Sequence, residues 1–225
     1  MSIQKSEIKL DVSGQPVSAY LAAPKDGGPG ALVLHAWWGL KPFFKELCDR
    51  LAEEGFTALA PDLRNGQITE TIEAAKELME KSDDKFVGDI VMAAKDHLLT
   101  LSKTGKIGVI GFSMGAGWAM EVAMGVPDKV AATVLFYGAV VGDFKKVRSK
   151  VQGHFSESDE WEPIEYVREM EQSMRNAGVD VTLHFYPGAA HWFVESDRPE
   201  YDSAAASLAW ERMFEFLNMS LREAA

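Results

Sequence analysis

A short apolar run, residues 106–111 (KIGVIG), passes directly into Gly111-Phe112-Ser113-Met114-Gly115 and then into a helical stretch ending at Gly125. This segment constrains the fold more than any other. A serine at a tight strand-to-helix turn needs small neighbours on both sides, and Gly111 and Gly115 supply them. The turn also puts the serine at a helix N-terminus, where backbone N–H groups and a partial positive charge favour developing negative charge. The pattern G-x-S-x-G carries weight only in this strand–turn–helix context, and the context is present.

The rest of the chain fits around that turn. Residues 6–12 and 17–23 read as two strands of a hairpin about Ser13-Gly14. Strands are then expected at 31–35, 56–60, 106–111, 130–138, 150–156 and 181–187, which makes eight. Helices are expected at 41–55, 68–80, 84–101, 114–125, 164–177 and 200–218. Alternation of this kind predicts a single α/β domain over residues 1–225, with a mostly parallel sheet covered by helices on both faces. Chemistry is then expected in the loops that follow the strands.

Charge and cysteine usage exclude several function classes. Lys and Arg number 23 against 34 Asp and Glu, a net charge of -11, which argues against nucleic-acid binding. No apolar run reaches the roughly 20 residues of a membrane helix, and the first residues lack the apolar core of a signal peptide, so no membrane partner and a cytoplasmic location are expected. Cys48 is the only cysteine and is expected to pack in the core of an amphipathic helix. The five histidines are scattered, so no metal site is expected. No strongly apolar exposed stripe is evident, and a monomer is the default.

A serine nucleophile needs a base and an orienting acid, expected in the order Ser, acid, His, each after a later strand. His184 falls inside a strand, His154 in an earlier one and His97 on a helix. His191, in the loop Pro187-Gly188-Ala189-Ala190-His191, is the candidate base. The acid should follow the strand ending near Ser156, which leaves Glu157, Asp159 and Glu160 as alternatives. The oxyanion donors are assigned to the backbone N–H groups of Met114, next to the nucleophile, and Trp37, in the loop 35–39. Trp38, Trp161 and Trp192 lie close in sequence to these positions and are candidate lining residues of a substrate pocket or, alternatively, loop-packing residues. His35 is a candidate brace for the oxyanion loop or a simple strand end.

Over nearly its whole length the chain resembles the dienelactone hydrolase family of the α/β-hydrolase superfamily. The resemblance rests on His35-Ala36-Trp37-Trp38-Gly39, Ala60-Pro61-Asp62-Leu63, Gly111–Gly117, Gly153–Pro163, Tyr186–Phe193 and the helix with Trp210-Glu211-Arg212. It implies an α/β-hydrolase fold and places the triad acid four residues before a proline, on Asp159, with the histidine on His191. Attack by the serine with its histidine and acid needs no metal or organic cofactor. Two departures are coherent with each other. The family's cysteine nucleophile is replaced by Ser113, and the glutamate that helps activate the thiol is replaced by Ala36. A serine depends on its histidine during attack, and a nearby carboxylate would oppose the oxyanion. A third departure concerns substrate. Arginines that hold the dienelactone carboxylate are missing, and Glu195 stands where one of them is expected, which disfavours dienelactone itself.

Together these residues imply a serine esterase or lactonase that cleaves small carboxylic esters through an acyl-enzyme. A cofactor-free perhydrolase is an alternative on the same residues. A non-catalytic ligand-binding module of the same fold is an alternative from another class.

Overall fold

The computed structural model describes residues 2–222. They form two compact units, one reaching to Ile107 and one starting at Gly108.

The first unit carries the hairpin β1 (Ile3–Val12) and β2 (Gln15–Pro24), followed by β3 (Gly30–Leu34) and β4 (Thr57–Pro61), in the spatial order β1-β2-β4-β3. Ser13 and Gly14 both have positive φ, 53° and 82°, the backbone twist that a two-residue hairpin loop requires. β2 pairs antiparallel with β4, and β4 pairs parallel with β3. Every residue of β3 and β4 is buried, which explains why they read as continuous apolar runs without alternation.

Helix α1 (Pro42–Glu53) begins on a proline and buries Phe43, Phe44, Leu47, Cys48 and Leu51 along one face. Burial pushes the Cys48 thiol pKa upward, so it is a packing residue. Helix α2 (Ile72–Glu80) starts later than the sequence suggests. Thr71 caps it by accepting from the Ala74 N–H (3.2 Å), and residues 68–71 stay outside the helix. Helix α3 (Asp84–Leu101) spans the expected stretch, and Asp83 caps it.

The second unit carries β5 (Ile107–Phe112), whose first residue closes the first unit, then β6 (Val130–Phe136), β7 (Lys150–Ser156) and β8 (Val181–Tyr186), in that order. β6, β7 and β8 run parallel. Helix α4 (Met114–Gly125) follows β5, α5 (Ile164–Asn176) joins β7 to β8, and α6 (Ser203–Arg222) packs on β6 and β7. Eight strands, mostly parallel, and six α-helices are therefore present among the described residues, and none of those helices is long and apolar enough to cross a membrane.

His35 does more in the first unit than end a strand. It is fully buried, its Nδ1–H donates to the Ala36 carbonyl (2.6 Å) and its Nε2 accepts from the Leu63 N–H (3.0 Å). The ring thereby ties the loop after β3 to the segment after β4, and only the neutral ring can make both bonds. Burial lowers its pKa from 6.5 to about 4, against a smaller opposing effect of the Ala36 hydrogen bond. A histidine held neutral in the fold but free to protonate when unfolded makes stability rise with pH between those two values. Full development of that difference amounts to about 3 kcal/mol. Urea unfolding from pH 4 to 7 should therefore show a steeper rise in stability for the wild type than for His35→Gln, with the gap between the two slopes confined to that window.

Candidate active site

The nucleophile candidate sits on a strained turn. Ser113 has φ 49° and ψ -113°, between the last residue of β5 and the first of α4. Its N–H donates to the Phe136 carbonyl (2.9 Å), and its carbonyl accepts from the Ala116 N–H (2.8 Å). Glycine is required at 111 because a Cβ there would lie 2.2 Å from the Gly115 oxygen. Gly138, which the sequence pattern does not single out, is equally constrained, since its Cβ would lie 2.6 Å from both the Ser113 oxygen and the Ala116 Cβ.

Three side chains from three loops of the second unit meet at this turn. His191 Nε2 lies 3.0 Å from Ser113 Oγ, and His191 Nδ1 lies 2.7 Å from Asp159 Oδ2. The side chains of His191 and Asp159 are only 3% and 1% exposed, so their contact is shielded from water. With Asp159 accepting at Nδ1–H, Nε2 faces the serine hydroxyl, and in the neutral ring it is the acceptor there. Asp159 is itself fixed, because its Oδ1 accepts from the N–H groups of Trp161 (2.8 Å) and Glu162 (3.0 Å). Glu157 and Glu160, its rivals in the sequence, are exposed. The structure thus brings together Ser113, Asp159 and His191, while His154, His184 and His97 stand elsewhere.

Supporting residues had little or no signal in the sequence. Ser156, at the end of β7, donates to the Ala189 carbonyl and accepts from the Ser158 N–H (2.9 Å). It therefore ties the loop bearing Asp159 to the loop bearing His191. Tyr137, with φ 38°, is fully buried and its ring centroid lies 4.9 Å from that of His191. Its hydroxyl donates to Glu195 Oε1 (2.8 Å), and Glu195 is fully buried. Burial, and then the Glu195 charge, raise the Tyr137 pKa, which keeps the phenol protonated as a donor. Glu195 accordingly acts on the protein interior. The expectation that it repels anions directly needs a carboxylate facing the substrate, and this one faces Tyr137. His154, also fully buried, has the structural role expected of it, between the Tyr186 hydroxyl (2.8 Å) and Gln152 Oε1 (3.0 Å).

The tryptophans divide. Trp192 is buried and lies edge-on to His191 at 4.6 Å, which fixes the histidine loop. Trp161 is 38% exposed, and its ring packs 5.6 Å from that of Trp192. Trp37 and Trp38 belong to the first unit, where they pack edge to face in the loop after β3, with Trp38 fully buried. Met114, assigned as an oxyanion donor, is the first residue of α4.

Three comparisons with known proteins bear on this arrangement. The profile of the dienelactone hydrolase family matches residues 17–221. A protein of Aquifex pyrophilus named Protein usf is 36% identical over 216 residues, covering 90% of this chain and 93% of its own. An Aquifex aeolicus protein, provisionally named carboxymethylenebutenolidase, is 33% identical over 229 residues, covering 96% and 98%. Among solved structures, one from Klebsiella pneumoniae, provisionally titled a dienelactone hydrolase, superposes with TM-score 0.87 at 26% identity, covering 96% of this chain and 99% of that one. The fold is that of the α/β hydrolases.

Glu162 offers a test of how the acid loop is held. It is half-buried beside Asp159, and burial raises its pKa to about 7, with the Ala139 N–H opposing and the Asp159 charge reinforcing the rise. A carboxyl group whose pKa is higher in the fold than in the unfolded chain is most favourable when protonated, so its contribution is lost as pH rises through that range. Glu162→Gln should gain stability relative to the wild type between pH 5 and pH 8 in urea titrations. A stability difference independent of pH would show that Glu162 is ionised throughout.

Proposed function

Since this chain belongs to the dienelactone hydrolase family, we propose that it is a carboxylic ester hydrolase working through a serine acyl-enzyme. The observation that carries this reading is the continuous relay from Ser113 Oγ to His191 (3.0 Å) to Asp159 (2.7 Å).

In the proposed reaction the Ser113 oxygen attacks the ester carbonyl while His191 Nε2 takes the hydroxyl proton. Asp159 holds the ring in the right tautomer and stabilises the imidazolium that forms. The oxyanion of the tetrahedral intermediate is placed at the N-terminus of α4, with the Met114 N–H as a donor. Collapse expels the alcohol, which receives the proton from His191. Water then repeats the sequence on the acyl-enzyme and frees Ser113. None of these steps calls for a metal or an organic cofactor. The substrates are small neutral esters, cyclic as well as open, in keeping with the butenolide in the name of the Aquifex aeolicus relative. Dienelactone itself is disfavoured, because no arginine occurs between Arg64 and Arg148 to hold its carboxylate.

Hydrolysis of p-nitrophenyl acetate and butyrate tests this reading. Ser113→Ala should abolish turnover, and Asp159→Asn should lower kcat by up to about 10⁴-fold, the scale seen when an orienting aspartate is neutralised in serine hydrolases. Equal activity of the wild type and Ser113→Ala would rule out Ser113 as the nucleophile.

A further inference from the structure

Helix α4 carries an open groove that begins at Met114, its first residue. A cavity of about 460 Å³ is lined by Met114, Gly117, Trp118, Met124, Val140 and Val141, among others. The helical members, with Glu121, recur at intervals of three and four residues and so share one face of α4. Met114 directly follows Ser113. At the far end Gly142 sits against Met124, where an added Cβ would come within 2.9 Å of the sulfur. The segment after β6 forms the other wall, anchored by the Val140 N–H on Met170 Sδ (3.3 Å). The volume falls in the range of sites for small organic ligands.

Gly117 indicates what the groove is for. Glycine is the poorest helix former after proline, and it usually appears inside a helix where a neighbour approaches too closely for a side chain. In the strand, Gly111 has a reason of that kind. Gly117 does not, because a Cβ there would meet nothing within 4 Å. Any larger residue at 117 would instead project into open space beside Trp118. The glycine keeps the groove clear at a position where the helix gains nothing from it.

We infer that the groove between α4 and the segment after β6 binds the hydrocarbon acyl chain of the ester. The preferred substrates then carry unbranched, uncharged chains of medium length. This rests on Ser113 being the nucleophile, as proposed above. From Met114 to Met124 the helix extends about 15 Å, enough for an extended chain of roughly ten carbons. Methionine and valine walls suit a flexible hydrocarbon. Glu121 on the same face disfavours a carboxylate at the chain's far end. The acyl chain, unlike the alcohol, stays attached to Ser113 through both half-reactions, so a groove that holds it steadies both.

The test compares kcat/KM for p-nitrophenyl octanoate and acetate in the wild type, Gly117→Ala and Gly117→Leu. Each methylene buried improves binding by about threefold to fourfold, so the wild type should prefer octanoate at least tenfold. The octanoate-to-acetate ratio should fall slightly in Gly117→Ala and at least tenfold in Gly117→Leu, with no loss of Tm in either. A second measurement is independent of turnover. Octanamide, a neutral analogue of the acyl half, is titrated calorimetrically into Ser113→Ala with and without Gly117→Leu, and the second substitution should weaken binding at least tenfold. If neither ester is hydrolysed but octanamide still discriminates the two proteins, the groove assignment stands and the serine-esterase reading falls. If octanamide binds both equally, or the ester ratio is unchanged in Gly117→Leu, the assignment is overturned. An unchanged ratio with an altered oligomeric state would make the groove a contact between two copies of the chain.

Discussion

The second unit is organised around one strained residue. Ser113 is held at φ 49°, a conformation that costs on the order of 1–3 kcal/mol for a residue other than glycine. The turn is held by neighbours that leave no alternative. The Ser113 N–H is taken by Phe136 at the end of β6, and its carbonyl by Ala116 in the first turn of α4. Gly111 and Gly138 let backbone approach from both sides, to distances at which a single Cβ would collide. The hydroxyl is thereby presented at the head of a helix, off the end of a buried strand. The strain and the alignment with His191 have the same source, since relaxing the turn would move Ser113 Oγ away from His191.

For Ser113 to act as the proposed nucleophile, its base must be held equally well, and His191 comes from a loop. Its position is imposed from several directions. Asp159 holds Nδ1, and two backbone N–H groups hold Asp159 in turn. Ser156 bridges the two loops, while Tyr137 and Trp192 pack against the imidazole at 4.9 and 4.6 Å. Tyr137 is itself secured by the buried Glu195. His191, Asp159, Ser156 and Tyr137 are all hydrogen-bonded in a largely dry environment, where such bonds are strong and the loss of a partner is costly. The loops therefore behave mechanically as extensions of the sheet.

Much of this was legible in the sequence, for reasons that differ by element. The buried strands β3, β4 and β5 stand out as apolar runs, and α1 and α4 end where glycine follows the periodic residues. Ser113 is legible because its turn needs glycine on both sides, and His191 because it follows the last strand. The choice of Asp159 over Glu157 and Glu160 was not available from residue type, because all three are acids in one short loop. What separates them is the backbone turn whose N–H groups converge on Asp159 Oδ1, and that turn has no single-residue signature. The start of α2 was misplaced because nothing in Ile68-Thr69-Glu70-Thr71 forbids a helix, whereas the Thr71 cap sets the boundary. Tyr137, Ser156 and Gly138 were missed because their roles depend on contacts between distant loops.

Glu195 shows how position in a sequence can mislead about chemistry. Standing where the family resemblance implies a substrate-binding arginine, it suggests a reversal of charge in the pocket. In the structure it is a buried carboxylate accepting from Tyr137, and its influence reaches the site through the ring packed on His191. Position 195 thus holds a residue that stiffens the layer around Ser113, Asp159 and His191. On the proposed reading there is no substrate anion to neutralise, and selectivity falls to shape and apolar contact. The groove along α4, lined chiefly by methionine, tryptophan and valine, is the feature of the second unit that can supply both.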